Sequence, residues 1–271
     1  MSRRAVSRAL LALVLLGTLL AGCGGDGEGD LELPPVGAVV DYQLGGRYEP
    51  ADDVEVVTRD SSSVPDPDLY SICYVNGFQT QPGGARDVFV VRHGVDLLLQ
   101  EDGEDVIDPG WPGETLFDIS TEENRTELAE VVGDWIRTCA SDGFDAVEVD
   151  NLDSWTRSRG LLTQDDAEAF ARLLVEAAHG AGLPIAQKNS SEVDGPALGF
   201  DFAVTEDCAE YDECSDYTDM YGGHVIEIEY TDNGREGFER SCDEAAGERS
   251  ILLRDRDVVP VGDPAYVFEH C

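Results

Sequence analysis

Lysine is nearly missing from this chain: among 18 basic residues, Lys188 is the single lysine. Bases as a whole are scarce, since 57 acidic residues outnumber them and leave a formal charge of −39. A surface of that sign repels phosphate backbones and anionic headgroups, so no nucleic-acid partner is expected. The acidity has two competing explanations, a salt-adapted surface or a cleft that attracts a cationic ligand. Beyond residue 22 no apolar run is long enough to span a bilayer. The chain has no G-x-S-x-G elbow, phosphate-binding glycine loop or dinucleotide fingerprint, and no CxxC pair or histidine cluster suited to zinc. No cofactor or metal is therefore expected. Internal repeats and internal domain boundaries are also missing.

The N-terminus carries Arg3, Arg4 and Arg8, followed by an apolar run over residues 9–20. That pattern reads as an export signal spanning residues 1–22. Leu20-Ala21-Gly22-Cys23 has the form of a lipobox, which predicts cleavage before Cys23, lipid on its thiol, and a cell-surface lipoprotein that meets the membrane only through that anchor. Residues 23–35, rich in Gly, Asp and Glu, read as a flexible acidic tether, and residues 36–271 as one folded domain. Six further cysteines follow, an even number that in an exported chain reads as disulfides. Several connectivities are open. The short loop favours Cys208 with Cys214, and the last helix and the terminus favour Cys242 with Cys271. That leaves Cys73 for Cys139.

The most informative stretch is residues 143–153, Gly-Phe-Asp-Ala-Val-Glu-Val-Asp-Asn-Leu-Asp. Alternation along a strand Ala146–Asp150 puts Ala146, Glu148 and Asp150 on one face and Val147 and Val149 on the other. The valines want helices behind a sheet, and two carboxylates on the opposite face are costly to bury unless paired or used. A surface strand, or a calcium loop built from Asp145, Asp150 and Asp153, is the blander alternative. Strand candidates precede it at residues 39–44, 54–58 and 71–76, with turn-rich connections and a minor extra strand at 97–100. A helix capped by Ser120 or Thr121, with Glu123 as capping-box acid, is expected to run to about residue 140. Afterwards helices at 163–181, near 213–221 and at 235–246 alternate with strands at 185–188, 202–206, 225–230 and 251–254. Such alternation means parallel pairing. Eight strands fit an α/β fold of the (β/α)8 barrel type with its first helices reduced, disulfide-stabilised and monomeric; a doubly wound sheet is the alternative.

In a barrel the reacting groups come from the C-terminal strand ends. Reading those ends gives Asp41, Tyr42, Asp60, Asn76, Asp150, Asn151, Lys188, Asn189, Glu206, Glu229, Tyr230, Arg254 and Asp255. Glu148 shares the inward face. Lys188 is placed to hold a sugar hydroxyl, to favour a neighbouring carboxylate, or to ion-pair with Glu148. Trp155, just past Asp150, is a candidate sugar platform, whereas Trp135 belongs to a helix core. Paired carboxylates around one bond are the arrangement for glycoside hydrolysis.

The chain resembles glycoside hydrolase family 114, the endo-α-1,4-polygalactosaminidase-like barrels. The matching residues are Tyr42-Gln43-Leu44-Gly45, Ile72-Cys73-Tyr74, Trp111-Pro112-Gly113-Glu114 with Asp118, and Gly143-Phe144-Asp145 with Glu148 and Asp150-Asn151. They continue through Gln187-Lys188-Asn189, Phe200-Asp201-Phe202-Ala203 with Glu206, Cys208 and Tyr211-Asp212-Glu213-Cys214, and Glu229-Tyr230-Thr231. The resemblance implies hydrolysis of an α-1,4-linked galactosamine polymer by Asp150 and Glu206, and it adds Asp118 to the substrate-binding candidates. Two positions depart from the family pattern: residues 76–82 read Asn-Gly-Phe-Gln-Thr-Gln-Pro where the family carries a Gly, Glu and Arg pattern, and Thr205 replaces an Asn. Both leave room for a different α-glycoside. A glycan-binding protein without turnover is the remaining alternative, opposed by the presence of both acids.

Overall fold

The computed structural model describes residues 31–271; the expected leader, Cys23 and residues 24–30 lie outside the described residues. Strands β1 (Val40–Tyr42), β2 (Val56–Asp60) and β3 (Tyr70–Asn76) follow one another through turns with no helix between them. Helix α1 (Ala85–His93), a small hairpin of β4 (Gln100–Glu101) and β5 (Glu104–Asp105), and the long helix α2 (Glu122–Asp142) lead to β6 (Ala146–Asp150). Next come α3 (Gln164–Gly180), β7 (Ile185–Lys188), a single turn α4 (Gly195–Leu198), β8 (Phe202–Glu206), α5 (Cys214–Tyr221) and β9 (Val225–Tyr230). Helix α6 (Glu236–Ala245), β10 (Ser250–Arg254) and β11 (Phe268–His270) complete the chain. None of the described helices is long and apolar enough to cross a membrane.

One sheet runs β1-β2-β3-β6-β7-β8-β9-β10-β11, parallel throughout except for β11, which returns antiparallel along β10. The eight parallel strands make the expected barrel, and the missing first two helices are its reduction. No backbone ladder joins β1 to β10 among the described residues. Arg254 bridges that seam instead. Its guanidinium donates to the Tyr42 carbonyl, to Asp41 Oδ1 at 3.3 Å and to the Val259 carbonyl at 3.1 Å.

Two apolar layers follow from strand alternation. Inside the barrel, Tyr42, Val56, Ile72, Ala146, Phe202 and Ile228 pack together. Outside, Val147 and Val149 of β6 meet Leu128 and Val132 of α2 and Phe170 and Leu174 of α3. Cys73, on the outer side of β3, reaches Cys139 of α2 for the same reason, and the structure also joins Cys208 to Cys214 and Cys242 to Cys271. Gly143 ends α2 at φ 94°, a left-handed turn that glycine adopts freely, and sends the chain directly into β6.

Several elements differ from the sequence expectation. Helix α1 was not anticipated: it buries only Phe89, too little apolar surface to leave a periodic signal. Residues 97–99 are buried connections rather than a strand, and the hairpin begins at Gln100. Thr121 caps α2 by accepting from Asn124 N, but the third helical position is Asn124, so Glu123 cannot complete the box. The full box forms at α3, between Thr163 and Asp166. Residues 31–35, read as tether, lie against the barrel: Glu32 O accepts from Tyr70 OH at 2.6 Å, and Pro34 is buried.

Candidate active site

Three consecutive strand ends carry an ionisable residue followed by an Asn or Asp in the left-handed region. These are Asp150 then Asn151 at φ 70°, Lys188 then Asn189 at φ 52°, and Glu206 then Asp207 at φ 58°. Asn and Asp tolerate that region because their short polar side chains bond locally. Each turn also returns its side chain to the site. Asn189 Oδ1 accepts from Glu206 N at 2.8 Å, Asp207 Oδ1 accepts from Tyr230 N at 3.1 Å, and Asn151 Nδ2 donates to Asn76 Oδ1 at 2.9 Å.

Lys188 is the centre of the assembly, with 2% of its surface exposed. Its Nζ lies 2.8 Å from Glu148 Oε1, 3.6 Å from Asp150 Oδ1 and 3.5 Å from Glu206 Oε1. The last two legs laid end to end bound the separation of those Asp150 and Glu206 oxygens. Each outer carboxylate has a phenol of its own: Tyr74 donates to Asp150 Oδ2 at 2.7 Å, and Tyr230 donates to Glu206 Oε1 at 2.6 Å. Tyr42 donates to Glu148 at 2.6 Å. Asn151 N holds Asp150 Oδ1 at 2.8 Å, whereas Glu206 Oε2 has only Asn189 Nδ2 at 3.3 Å.

The electrostatics follow from this packing. Burial pushes the Tyr42, Tyr74 and Tyr230 hydroxyls well above their ordinary value, and the nearby carboxylates push the same way, so all three remain neutral donors. Burial by itself would lower Lys188, yet Asp150, Glu148 and Glu206 outweigh it and hold the ammonium well above the usual lysine range. Burial raises Glu148, with Lys188 opposing. One cation thus serves three carboxylates, and two of them open onto solvent.

They open onto a cleft of about 570 Å³ whose wall includes Trp111, Glu114, Asp60, Gln81 and Asp257. Arg157 lines it while paired to Asp108 and Asp153, each at 2.7 Å. Arg256 lines it while paired to Asp207 and Asp232, stacked 4.0 Å from the Tyr230 ring centroid.

Of the sequence candidates, the fold brings Tyr42, Asp60, Asp150, Asn151, Lys188, Asn189, Glu206 and Tyr230 to this cleft. Others stand elsewhere. Asp41 and Arg254 are spent on the barrel seam. Glu148 is completely buried beneath Lys188, and Asn76 is buried behind the wall. Glu229 faces outward, because alternation along β9 turns Tyr230 inward; it accepts from Ala209 N at 2.9 Å. Asp118 accepts from Ser120 ahead of α2. Trp155 packs on the core beneath the helices, and the tryptophan of the cleft is Trp111, 54% exposed. Trp111, Tyr74, Glu114, Arg157 and Arg256 were given no role from sequence; the Trp-Pro-Gly-Glu motif contains the first and third and the Ile-Cys-Tyr motif the second, whereas no motif marks Arg157 or Arg256. Behind the sheet, ligand atoms of Cys208, Cys214, Glu227 and Glu229 lie within 4.8 Å of one another, but the disulfide occupies both sulfurs.

The sequence model of glycoside-hydrolase family GH114 matches residues 27–271. Among solved structures, Aspergillus fumigatus Ega3 in complex with galactosamine superposes with a TM-score of 0.68 at 23% identity, over 89% of this chain and 97% of that chain. A variant of the glycoside hydrolase domain of PelA from Pseudomonas aeruginosa gives a TM-score of 0.56 at 14% identity, over 84% of this chain and 97% of that chain. At these identities the likeness is one of fold. No curated protein matches the sequence.

Proposed function

The chain belongs to glycoside-hydrolase family GH114, and from that premise we propose that it cleaves an α-1,4-linked, galactosamine-containing polysaccharide with Asp150 and Glu206 as the reacting pair. The observation that carries the assignment is their shared position: both stand within 3.6 Å of the Lys188 ammonium and both line the one cleft. The galactosamine bound to the Ega3 structure supports the sugar.

In this reading Asp150 is the nucleophile. Lys188, Tyr74 and Asn151 N stabilise its charge and fix its oxygens, so it attacks the anomeric carbon from a set position. Glu206 supplies its proton to the departing glycosidic oxygen and then removes one from the attacking water. Oε2, its less firmly held oxygen, is the one free for that transfer. A retained α-configured product is expected, and a β product in proton NMR would recast Asp150 as the base that activates water.

Asp150→Asn and Glu206→Gln are each expected to lower kcat by roughly two to four orders of magnitude while polymer binding persists. The double variant should cost little more than either alone, because the two act as a unit. Asp150→Asn retaining above about a tenth of turnover, a barrier change under ~1.4 kcal/mol, sinks the assignment. The leader and Cys23 support export with lipid anchoring at the cell surface, since acyl chains provide the membrane affinity that an acidic chain lacks. Cys23→Ser should release the protein from the membrane fraction, and retention there would refute the anchor.

A further inference from the structure

The charges along the cleft do not balance. Its three bases, Lys188, Arg157 and Arg256, are all engaged by carboxylates of the protein. Of the cleft acids, Asp108, Asp150, Asp153 and Glu206 have such a cation within 4.0 Å. Asp60, Glu114 and Asp257 have none among the described residues. Asp60 has both oxygens occupied, Oδ1 by Ser62 and Oδ2 by Gln81. Asp257 is exposed to water, which screens it. Glu114 is different: it is 7% exposed, without a cation, and held in a fixed orientation.

That orientation comes from one of its oxygens. Oε2 receives both Asn76 Nδ2 at 2.7 Å and Gln79 Nε2 at 2.6 Å, and Oε1 accepts from no described residue. Burial pushes the Glu114 carboxyl up; the hydrogen bonds from Gln79 and Asn76 oppose it, the charges of Asp150 and Asp108 add to it, and no cation offsets them. A natural protein rarely keeps such a group in a binding cleft without a use for it. The same hydrogen bonds tie it to the reacting centre: Asp150 Oδ1 accepts from Asn151 N, Asn151 Nδ2 donates to Asn76, and Asn76 donates to Glu114.

We propose that Glu114 reads the substrate's amine, its free Oε1 accepting from the C2 ammonium of the galactosamine unit whose bond is cut. In a 2-amino sugar that ammonium is one carbon from the anomeric centre, so its reader must share the nucleophile's cleft; Glu114 and Asp150 both line it, and the hydrogen bonds through Asn151 and Asn76 link them. An N-acetylated unit offers an uncharged amide there and leaves the carboxylate unbalanced. Trp111, whose carbonyl accepts from Glu114 N at 2.9 Å, sets an exposed aromatic face on the same turn. The inference rests on the galactosaminan reading above and names the residue that selects the deacetylated form.

The test is calorimetric binding in a Glu206→Gln background, which prevents cleavage, using an α-1,4-galactosamine oligomer and its N-acetylated counterpart. The parent should prefer the amine form, and adding Glu114→Gln should reduce that preference tenfold or more, about 1.4 kcal/mol. Glutamine still accepts from Asn76 and Gln79, so the wall is kept and the charge alone is lost. Glu114→Asp, which keeps the charge on a shorter arm, should restore part of the preference. A parent without preference, or a preference that Glu114→Gln leaves standing, overturns the inference. Cleavage by the unmodified enzyme is read separately. Amine-selective binding without cleavage of either polymer would sink the hydrolytic reading and leave Glu114's role intact; cleavage with a ratio independent of Glu114 would do the reverse.

Discussion

Replacing Lys188 by Met removes the one positive charge from a space that holds Glu148, Asp150 and Glu206 within 3.6 Å. The methionine chain fills most of the lysine's volume, so the perturbation is electrostatic. Breaking a buried ion pair from one side costs about 3–5 kcal/mol, because the remaining charge has neither water nor a partner. Here Glu148 is that charge: it is completely buried, Oε1 would keep only the Tyr42 hydroxyl, and Oε2 has no partner. Against a total stability of roughly 5–15 kcal/mol the loss is large. Denaturant titration at neutral pH should show it, together with a fall in kcat as both reacting carboxylates lose their cation. The second step is Glu148→Gln in the Lys188→Met background. Removing both charges should recover a substantial part of the stability, since a buried pair replaced by neutral groups is often nearly neutral in cost. Activity should not return with it, because Asp150 and Glu206 still lack their ammonium. The pH dependence has a definite sign. Without Lys188 the folded state holds Glu148 protonated to higher pH than the unfolded chain does. The variant is thus closest to wild type below the ordinary glutamate value of 4.5 and loses ground as pH rises. A neutral-pH loss below about 1 kcal/mol, or a double variant no more stable than the single, refutes the picture of Lys188 as the balancing charge.

Three other outcomes are expected. Burial raises Glu229 to about 7 from 4.5, so its contribution to stability is fully present below 4.5 and is lost as pH rises through about 7; Glu229→Gln should flatten the stability curve across that window, by ~3 kcal/mol at most, and an unchanged curve contradicts the shift. Replacing Cys73 and Cys139 together by Ala opens a link between residues 66 apart and should cost about 2–5 kcal/mol in thermal unfolding, more than removing Cys208–Cys214, which closes only 6. Trp111→Ala should raise KM for polymer several-fold with kcat nearly kept, an effect of about 1 kcal/mol, whereas Trp155→Ala should lower the melting temperature; the opposite pattern would return the platform role to Trp155.

Much of this protein is written in neighbouring residues. Strands Ala146–Asp150, Ile185–Lys188, Phe202–Glu206 and Val225–Tyr230 have the same bounds in the sequence reading and the structure, because each is a short apolar run closed by turn residues or by an ionisable strand end. Period-two alternation alone put Val147 and Val149 towards helices and Glu148 and Asp150 towards the barrel interior and its mouth. The same rule, applied to β9, would have turned Glu229 away from the cleft; grouping residues only by strand end missed it. Helix α1 and strand β11 left no such trace, since they are held by docking and by the Cys242–Cys271 link more than by a periodic face. Closure of the barrel decided the rest. Lys188, Glu148, Asp150 and Glu206 come from three strands, and local pattern cannot say that one ammonium sits among all of them. Closure likewise sent Arg254 and Asp41 to the seam and brought Trp111 and Glu114, on a loop with no strand end to mark it, to the cleft wall. Periodicity is a property of adjacent residues, whereas the pairing of charges across a barrel depends on which strands meet and in what register, and only the folded chain sets that.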